Sequence, residues 1–210
     1  MKKALLFFVL LFTLQIHSQH ILKDSIIYLD EVVVSKKATK HKTVKVKTDG
    51  NTIGQVGAQK IPAQVSLLNH IPAGILSYVT FYFNSGTINV FKKESDVVYE
   101  DTELGLVLYT VNKDGTPGAP LLETPLRFMV KKEHRGSIKL NLEPLHLSAQ
   151  PQLFIGMESV SEQQANTVIL KMQKNDNAVT YNRGKDGKWY KFDFGDLKVH
   201  IKMEVGIEIE

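Results

Sequence analysis

Cysteine is absent from the 210-residue chain. That excludes a disulfide scaffold, thiolate zinc sites and a cysteine nucleophile. After residue 20 no apolar run approaches the roughly 20 residues needed to cross a bilayer as a helix. Charge of one sign is not in large excess, with 26 Lys and Arg against 22 Asp and Glu. A nucleic-acid binder usually carries a basic face or stripe, and here both signs are interspersed along most of the chain. The GxSxG serine elbow, the phosphate-cradling GxxxxGK[ST] loop and the HExxH zinc motif are all missing. Helical periodicity over three turns is missing too. What remains is a chain with 43% hydrophobic residues, enough for the core of one domain, or at most two small ones.

The N-terminus has a distinct layout. Met1-Lys2-Lys3 is a short basic start, Ala4 to Leu14 is almost continuously apolar, and Gln15, His17, Ser18 and Gln19 are polar. This is the order of a secretory signal peptide, with cleavage expected between Ser18 and Gln19. Cleavage removes Lys2 and Lys3 and lowers the formal charge from +4 to +2. No cysteine follows the run, so a lipoprotein is not expected. The expected localisation is periplasmic, outer-membrane-associated or at the cell surface.

Three segments follow from this reading: a signal peptide over 1–18, an extended segment with a lysine-rich linker over 19–42, and a β-sandwich domain over 43–210. Lys36, Lys37, Lys40, His41, Lys42, Lys45 and Lys47 form the one local concentration of basic residues. Solvation of a linker is the plain reading, and contact with anionic lipid or polysaccharide the sharper one.

From Thr43 onward the pattern is that of short strands. Val199, Ile201, Met203, Val205, Ile207 and Ile209 occupy every second position and alternate with His200, Lys202, Glu204, Gly206 and Glu208. A strand sends successive side chains to opposite faces. One dry and one wet face are therefore expected, with His200 exposed. Ile138, Leu140 and Leu142 alternate in the same way, as do Val79, Phe81 and Phe83. In Leu104–Tyr109 both sets are largely apolar, as in a strand covered on both sides. Further strands are expected at Val65–Leu68, Asp96–Tyr99, Leu126–Lys131, Leu153–Glu158, Thr167–Met172, Val179–Asn182 and Trp189–Phe192. His146 is expected within a strand. Gly-, Pro-, Asn- and Asp-rich turns separate these segments, notably 112–118 and 184–187. The expected fold is all-β: an antiparallel β-sandwich of Greek-key or jelly-roll type with a short N-terminal extension.

Leu29-Asp30-Glu31-Val32-Val33-Val34-Ser35 resembles the segment that opens the plug of TonB-dependent outer-membrane receptors. The order running from Leu106–Tyr109 through Asp114–Gly118, Ile138–Leu142 and Phe154–Glu158 to Tyr181–Arg183 and Trp189-Tyr190 is similar to the C-terminal β-sandwich of uncharacterised exported carboxypeptidase-regulatory-like proteins. The second resemblance covers about residues 55–210 and implies a fold, with no catalytic assignment. Residues 19–54 are shorter than a complete regulatory-like domain, and no receptor barrel is expected after them, so receptor function is not carried over.

Candidate sites are few. Tyr181, Arg183, Trp189 and Tyr190 flank one polar turn and hold the only tryptophan. Flat rings with adjacent polar groups suit a sugar, although a lone tryptophan also serves as core packing. Tyr78 and Tyr82 are a weaker wet-face pair. Leu29, Asp30, Glu31, Val32, Val33 and Val34 suit strand addition to a partner's sheet edge. Glu123, Glu143, Glu158 and Glu162 are available for two-carboxylate glycosidase chemistry. The seven histidines show no metal-ligand spacing, and Asn175-Asp176-Asn177 reads as a polar turn. The expectation is a non-catalytic envelope protein with a binding or assembly role, carbohydrate binding being its specific version. The alternatives are a partner-binding accessory of an outer-membrane uptake system and a glycoside hydrolase-like enzyme. No metal, cofactor or nucleic-acid partner is expected; a polysaccharide or an envelope protein is.

Overall fold

β-Branched and aromatic residues favour extended backbone, and the intervening Gly, Asn and Asp residues close the turns. The computed structural model describes residues 42–57, 62–84, 101–131, 134–160, 169–192 and 196–209. The expected signal peptide over 1–18, the segment Leu29–Val34, the basic residues Lys36, Lys37, Lys40 and His41, and the expected strand Asp96–Tyr99 lie outside them.

Among the described residues the strands are β1 (Lys42–Lys47), β2 (Asn51–Gly57), β3 (Ala63–Asn69), β4 (Ile75–Asn84), β5 (Thr102–Val111), β6 (Pro117–Pro120) and β7 (Leu126–Val130). They continue with β8 (Gly136–Asn141), β9 (Gln152–Ser159), β10 (Ile169–Lys174), β11 (Thr180–Arg183), β12 (Trp189–Lys191), β13 (Val199–Ile201) and β14 (Met203–Ile209).

These strands make two antiparallel seven-stranded sheets. In the first, β1, β14, β4 and β8 lie side by side, and β10 pairs with β2 on one edge and with β4 and β13 on the other. In the second, the order is β12-β11-β3-β9-β5, with β6 and β7 sharing the far edge of β5. The chain changes sheet between β2 and β3, β3 and β4, β4 and β5, β7 and β8, β8 and β9, β9 and β10, β10 and β11, and β12 and β13. Most neighbours are therefore far apart in sequence. Their register depends on matching apolar faces, because a one-residue slip would turn every core side chain outward.

The main core lies between the sheets. Leu76, Val79, Phe81, Phe83, Leu170, Met172, Ile201, Met203, Val205 and Ile207 come from the first sheet, and Leu68, Leu104, Leu106, Leu108, Leu153, Ile155 and Met157 from the second. Phe81 and Phe83 both reach Phe128 on β7, with ring centroids 6.4 Å apart in each pair. The alternation read in 104–109, 138–142 and 199–209 faces this core as expected. The all-β sandwich is thus the observed architecture.

Four expectations change. His200 is buried at 5% exposure. Its Nε2 lies 2.6 Å from the Asp49 carbonyl, because the loop after β1 folds over that face. The second face of β14 is likewise covered, with Glu204 at 8% and Tyr78 at 7% exposure. His146 is not in a strand. It is exposed and ends a 3₁₀ turn at Glu143–Leu145 with φ 47°. Finally, Lys42, Lys45 and Lys47 stand on strand β1, paired to β14 over its whole length. The alternation KTVKVK is short and lysine-rich, so its two valines were too weak a signal for an edge strand. β2 and the proline-bounded β6 carry no such alternation either.

On the outer face of the first sheet one cluster stands out. Gly206 leaves the space where the Tyr78 ring lies: a Cβ there would sit 2.1 Å from Tyr78 Cε1. The Tyr78 hydroxyl donates to Glu204 at 2.8 Å, and Lys139 Nζ sits 3.8 Å from the ring centroid. Lys47 and Lys45 approach the same carboxylate at 2.9 Å and 3.5 Å. Burial, and then the bond to Glu204, push the Tyr78 hydroxyl up to about 12. Burial alone would also push the Glu204 carboxyl up, but the Lys47 and Tyr78 hydrogen bonds and the two lysine charges bring it below its usual range.

Candidate binding site on the outer face of the second sheet

Register sets which side chains share this face. Arg183 lies opposite Ala63, Ala63 opposite Glu158, and Glu158 opposite Gly105. The next row is Tyr181, Val65, Gly156 and Val107, and the third includes Leu67, Phe154 and Tyr109. Trp189 on β12 stands opposite Arg183. Their strand neighbours Leu106, Leu108, Leu68, Ile155 and Met157 belong to the main core, as period-two alternation requires.

A second apolar cluster therefore forms on the outside of the sandwich. Val65, Val107, Tyr109 and Phe154 are buried there, and Leu67, Val111, Val179, Tyr181 and Trp189 pack on them part-buried. The rings meet edge to face. Tyr109 and Trp189 have centroids 5.1 Å apart at 79°, and Phe154 and Tyr181 are 5.6 Å apart at 80°. Such geometry matches the ring quadrupoles and adds about 0.5–1.5 kcal/mol per pair beyond burial.

Polar groups border the rings. Arg183 Nη1 donates to the Tyr109 hydroxyl at 3.3 Å. Burial raises the Tyr109 hydroxyl above its ordinary value, and the Arg183 charge opposes that rise. Burial likewise raises the Glu158 carboxyl, again moderated by Arg183. Ala63, whose side chain is one methyl group, separates Arg183 from Glu158 along the row. A cleft of about 250 Å³ opens here, lined by Val107, Leu108, Tyr109, Pro120, Leu122, Glu123, Pro125, Glu158 and Arg183. Pro125 lies over Gly105, where a Cβ would come within 2.6 Å of the proline Cβ.

Three of the four residues singled out in the sequence share this face: Trp189, Tyr181 and Arg183. Tyr190 does not. It stands opposite Asn182, on the other side of the strand, and is 52% exposed. Its hydroxyl donates to Asp186 at 2.7 Å, within the Gly184–Lys188 turn. That bond raises the tyrosine and lowers the aspartate from their ordinary values. Gly184 makes room for the Tyr190 ring, and Gly187 takes the left-handed φ of 79° that the turn requires.

Tyr109 and Phe154 were not singled out. The signal for Tyr109 lies in Leu104–Tyr109, where the off-core positions Val107 and Tyr109 are also apolar. A strand apolar on both faces needs a second layer, and the β11–β12 hairpin supplies part of it. Of the candidate carboxylates, Glu123 and Glu158 line the same cleft. Glu143 is exposed on the 3₁₀ turn, and Glu162 lies outside the described residues. Tyr78 and Tyr82 belong to the first sheet. Asn175–Asn177 forms a turn in which Asn175 Oδ1 accepts from the Asn177 amide at 2.8 Å. Among the described residues no three His, Asp or Glu side chains converge as a metal site.

A second cleft, of about 320 Å³, opens at one end of the sandwich and includes Thr48, Asp49, Asn69, His70, Asn175, Asn177 and His200. Burial lowers the His200 imidazole below its usual value, and the bond to Asp49 partly restores it.

No family model, curated protein or solved structure matches this chain.

Proposed function

We propose that the protein is an exported, non-catalytic binding module of the cell envelope that takes a carbohydrate on the outer face of its second sheet. The observation that carries this reading is the juxtaposition of part-exposed Trp189 and Tyr181 with Arg183 and Glu158 beside the 250 Å³ cleft. A sugar ring offers an apolar face to aromatic side chains and hydroxyls to both donors and acceptors. Arg183 donates, and Glu158 accepts or, when protonated, donates. Affinity electrophoresis in gels containing neutral polysaccharides tests it. The wild-type chain is expected to be retarded by at least one polymer, and Trp189→Ala to run at the control rate. Equal retardation of wild type and variant would remove the aromatic platform.

A hydrolase reading has its own supporting observation: Glu123 and Glu158 line one cleft, and burial raises Glu158 toward the range of a general acid. Reducing-sugar release from a retained polysaccharide, abolished by Glu158→Gln, is its expected result. Retention without release leaves the binding module.

A further inference from the structure

We infer that the outer face of the first sheet is a docking surface for a linear polyanion of the acidic-polysaccharide class. This surface is separate from the aromatic face and does not depend on what binds there.

The placement comes from register. Lys45 and Lys47 on β1 lie opposite Gly206 and Glu204 of β14. Lys202 precedes Glu204 by two residues on the same side, and its amide donates to the Lys171 carbonyl of β10 at 2.9 Å. The four lysines therefore form a stripe running from the sheet edge inward. Residues two apart on a strand are about 7 Å apart and neighbouring strands about 4.8 Å, so the stripe is on the order of 20 Å long. Lys139 on β8 flanks it, in the row of Lys47, Glu204 and Thr80. Glu204 and Glu208 are the carboxylates on this face among the described strand residues, against these five lysines. Glu204 is already held between Lys45 and Lys47. In sequence, Lys36, Lys37, Lys40 and His41 precede the strand that forms the stripe's outer end.

The form of the surface selects among polyanions. A bilayer rewards an apolar anchor as well as charge. The exposed large apolar side chains among the described residues, Met129, Leu145 and Tyr190, all lie elsewhere. Single-stranded nucleic acid needs open rings for base stacking, but Tyr78 is buried with Lys139 over it, and Lys202 Nζ is 5.3 Å from the Tyr82 centroid. Among the described residues the strands of this sheet carry no arginine, whose planar fork is favoured for nucleic-acid phosphates. A narrow row of point charges with backbone steps of about 5–8 Å fits a chain of carboxylate-bearing sugars.

Binding of the full chain to polygalacturonate, measured by interferometry at 50 mM and 300 mM NaCl, tests this. Affinity is expected to fall at least ten-fold at the higher salt, because exposed charges are screened. The Lys171→Gln/Lys202→Gln pair is expected to weaken binding at least ten-fold at low salt with an unchanged unfolding midpoint, whereas Trp189→Ala leaves it unchanged. Wild-type affinity in the double variant would overturn the assignment, as would no binding at all. Tighter binding to phosphatidylglycerol vesicles or to a DNA oligonucleotide than to polygalacturonate would also overturn it. Loss of binding in Trp189→Ala alone would move acidic-sugar binding to the other sheet.

Discussion

The two outer faces of the sandwich solve the same problem in opposite ways. Each belongs to a sheet whose inner face is committed to the main core. On the second sheet the outer face is apolar and ring-rich, with Tyr109 and Phe154 buried beneath Trp189 and Tyr181. On the first sheet it is polar, with one tyrosine ring held flat over Gly206 by a carboxylate and a lysine. Apolar packing stabilises by removing area from water, whereas exposed ion pairs contribute little and weaken with salt. The exposed lysines of the first face, Lys45, Lys47 and Lys139, can therefore be altered with small effect on folding, while part of the second face acts as core.

The largest test of that contrast is Phe154→Ala. Although Phe154 points away from the main core, it is fully buried, so the substitution is expected to cost about 3–5 kcal/mol in urea unfolding. A cost below about 1 kcal/mol would show that the outer cluster is not a second core. Gly206→Val comes next. Its added methyl groups displace the Tyr78 ring, at an expected cost of about 1–3 kcal/mol. The Tyr78 hydroxyl should then titrate nearer its usual 10 than about 12, as read by ultraviolet difference spectroscopy.

The smallest effects separate the faces by the sign of their pH dependence. On the first sheet, Glu204 and His200 both sit below their unfolded values of 4.5 and 6.5. Their stabilising contributions are present above those values and are lost as pH falls toward the folded ones. On the second sheet Glu158 is raised above 4.5. Its contribution is present below 4.5 and is lost as pH rises through the folded value. Glu158→Gln is thus expected to raise the unfolding midpoint at pH 7 relative to pH 4, and His200→Gln to flatten the decline below pH 6.5. The same pH profile in Glu158→Gln as in the wild type would erase the contrast.

Much of this was legible before folding. The alternating segments 138–142 and 199–209 announce strands, and 184–187 announces the hairpin that brings Arg183 opposite Trp189. The doubly apolar Leu104–Tyr109 announces a covered strand. Other features were not legible because their causes lie far away in the chain. His200 is buried by a loop from around Asp49, and Glu204 by Tyr78 and two lysines of β1. The lysine stripe draws on residues 45, 47, 171 and 202, which no sequence window places together. Likewise the candidate site joins Tyr109 and Glu158 to Arg183 only through β3 and β9.

Sequence alone determined the period-two apolar pattern, and with it the all-β class and the identity of the inward faces, because alternation is a local property of extended backbone. Tertiary structure alone decided what each outward face meets. Strands from distant parts of the chain cross repeatedly between the sheets, so one outward row receives an aromatic hairpin and the other a lysine-bearing edge strand. Period-two spacing says which residues leave the core, and only long-range register says which of them find a second partner.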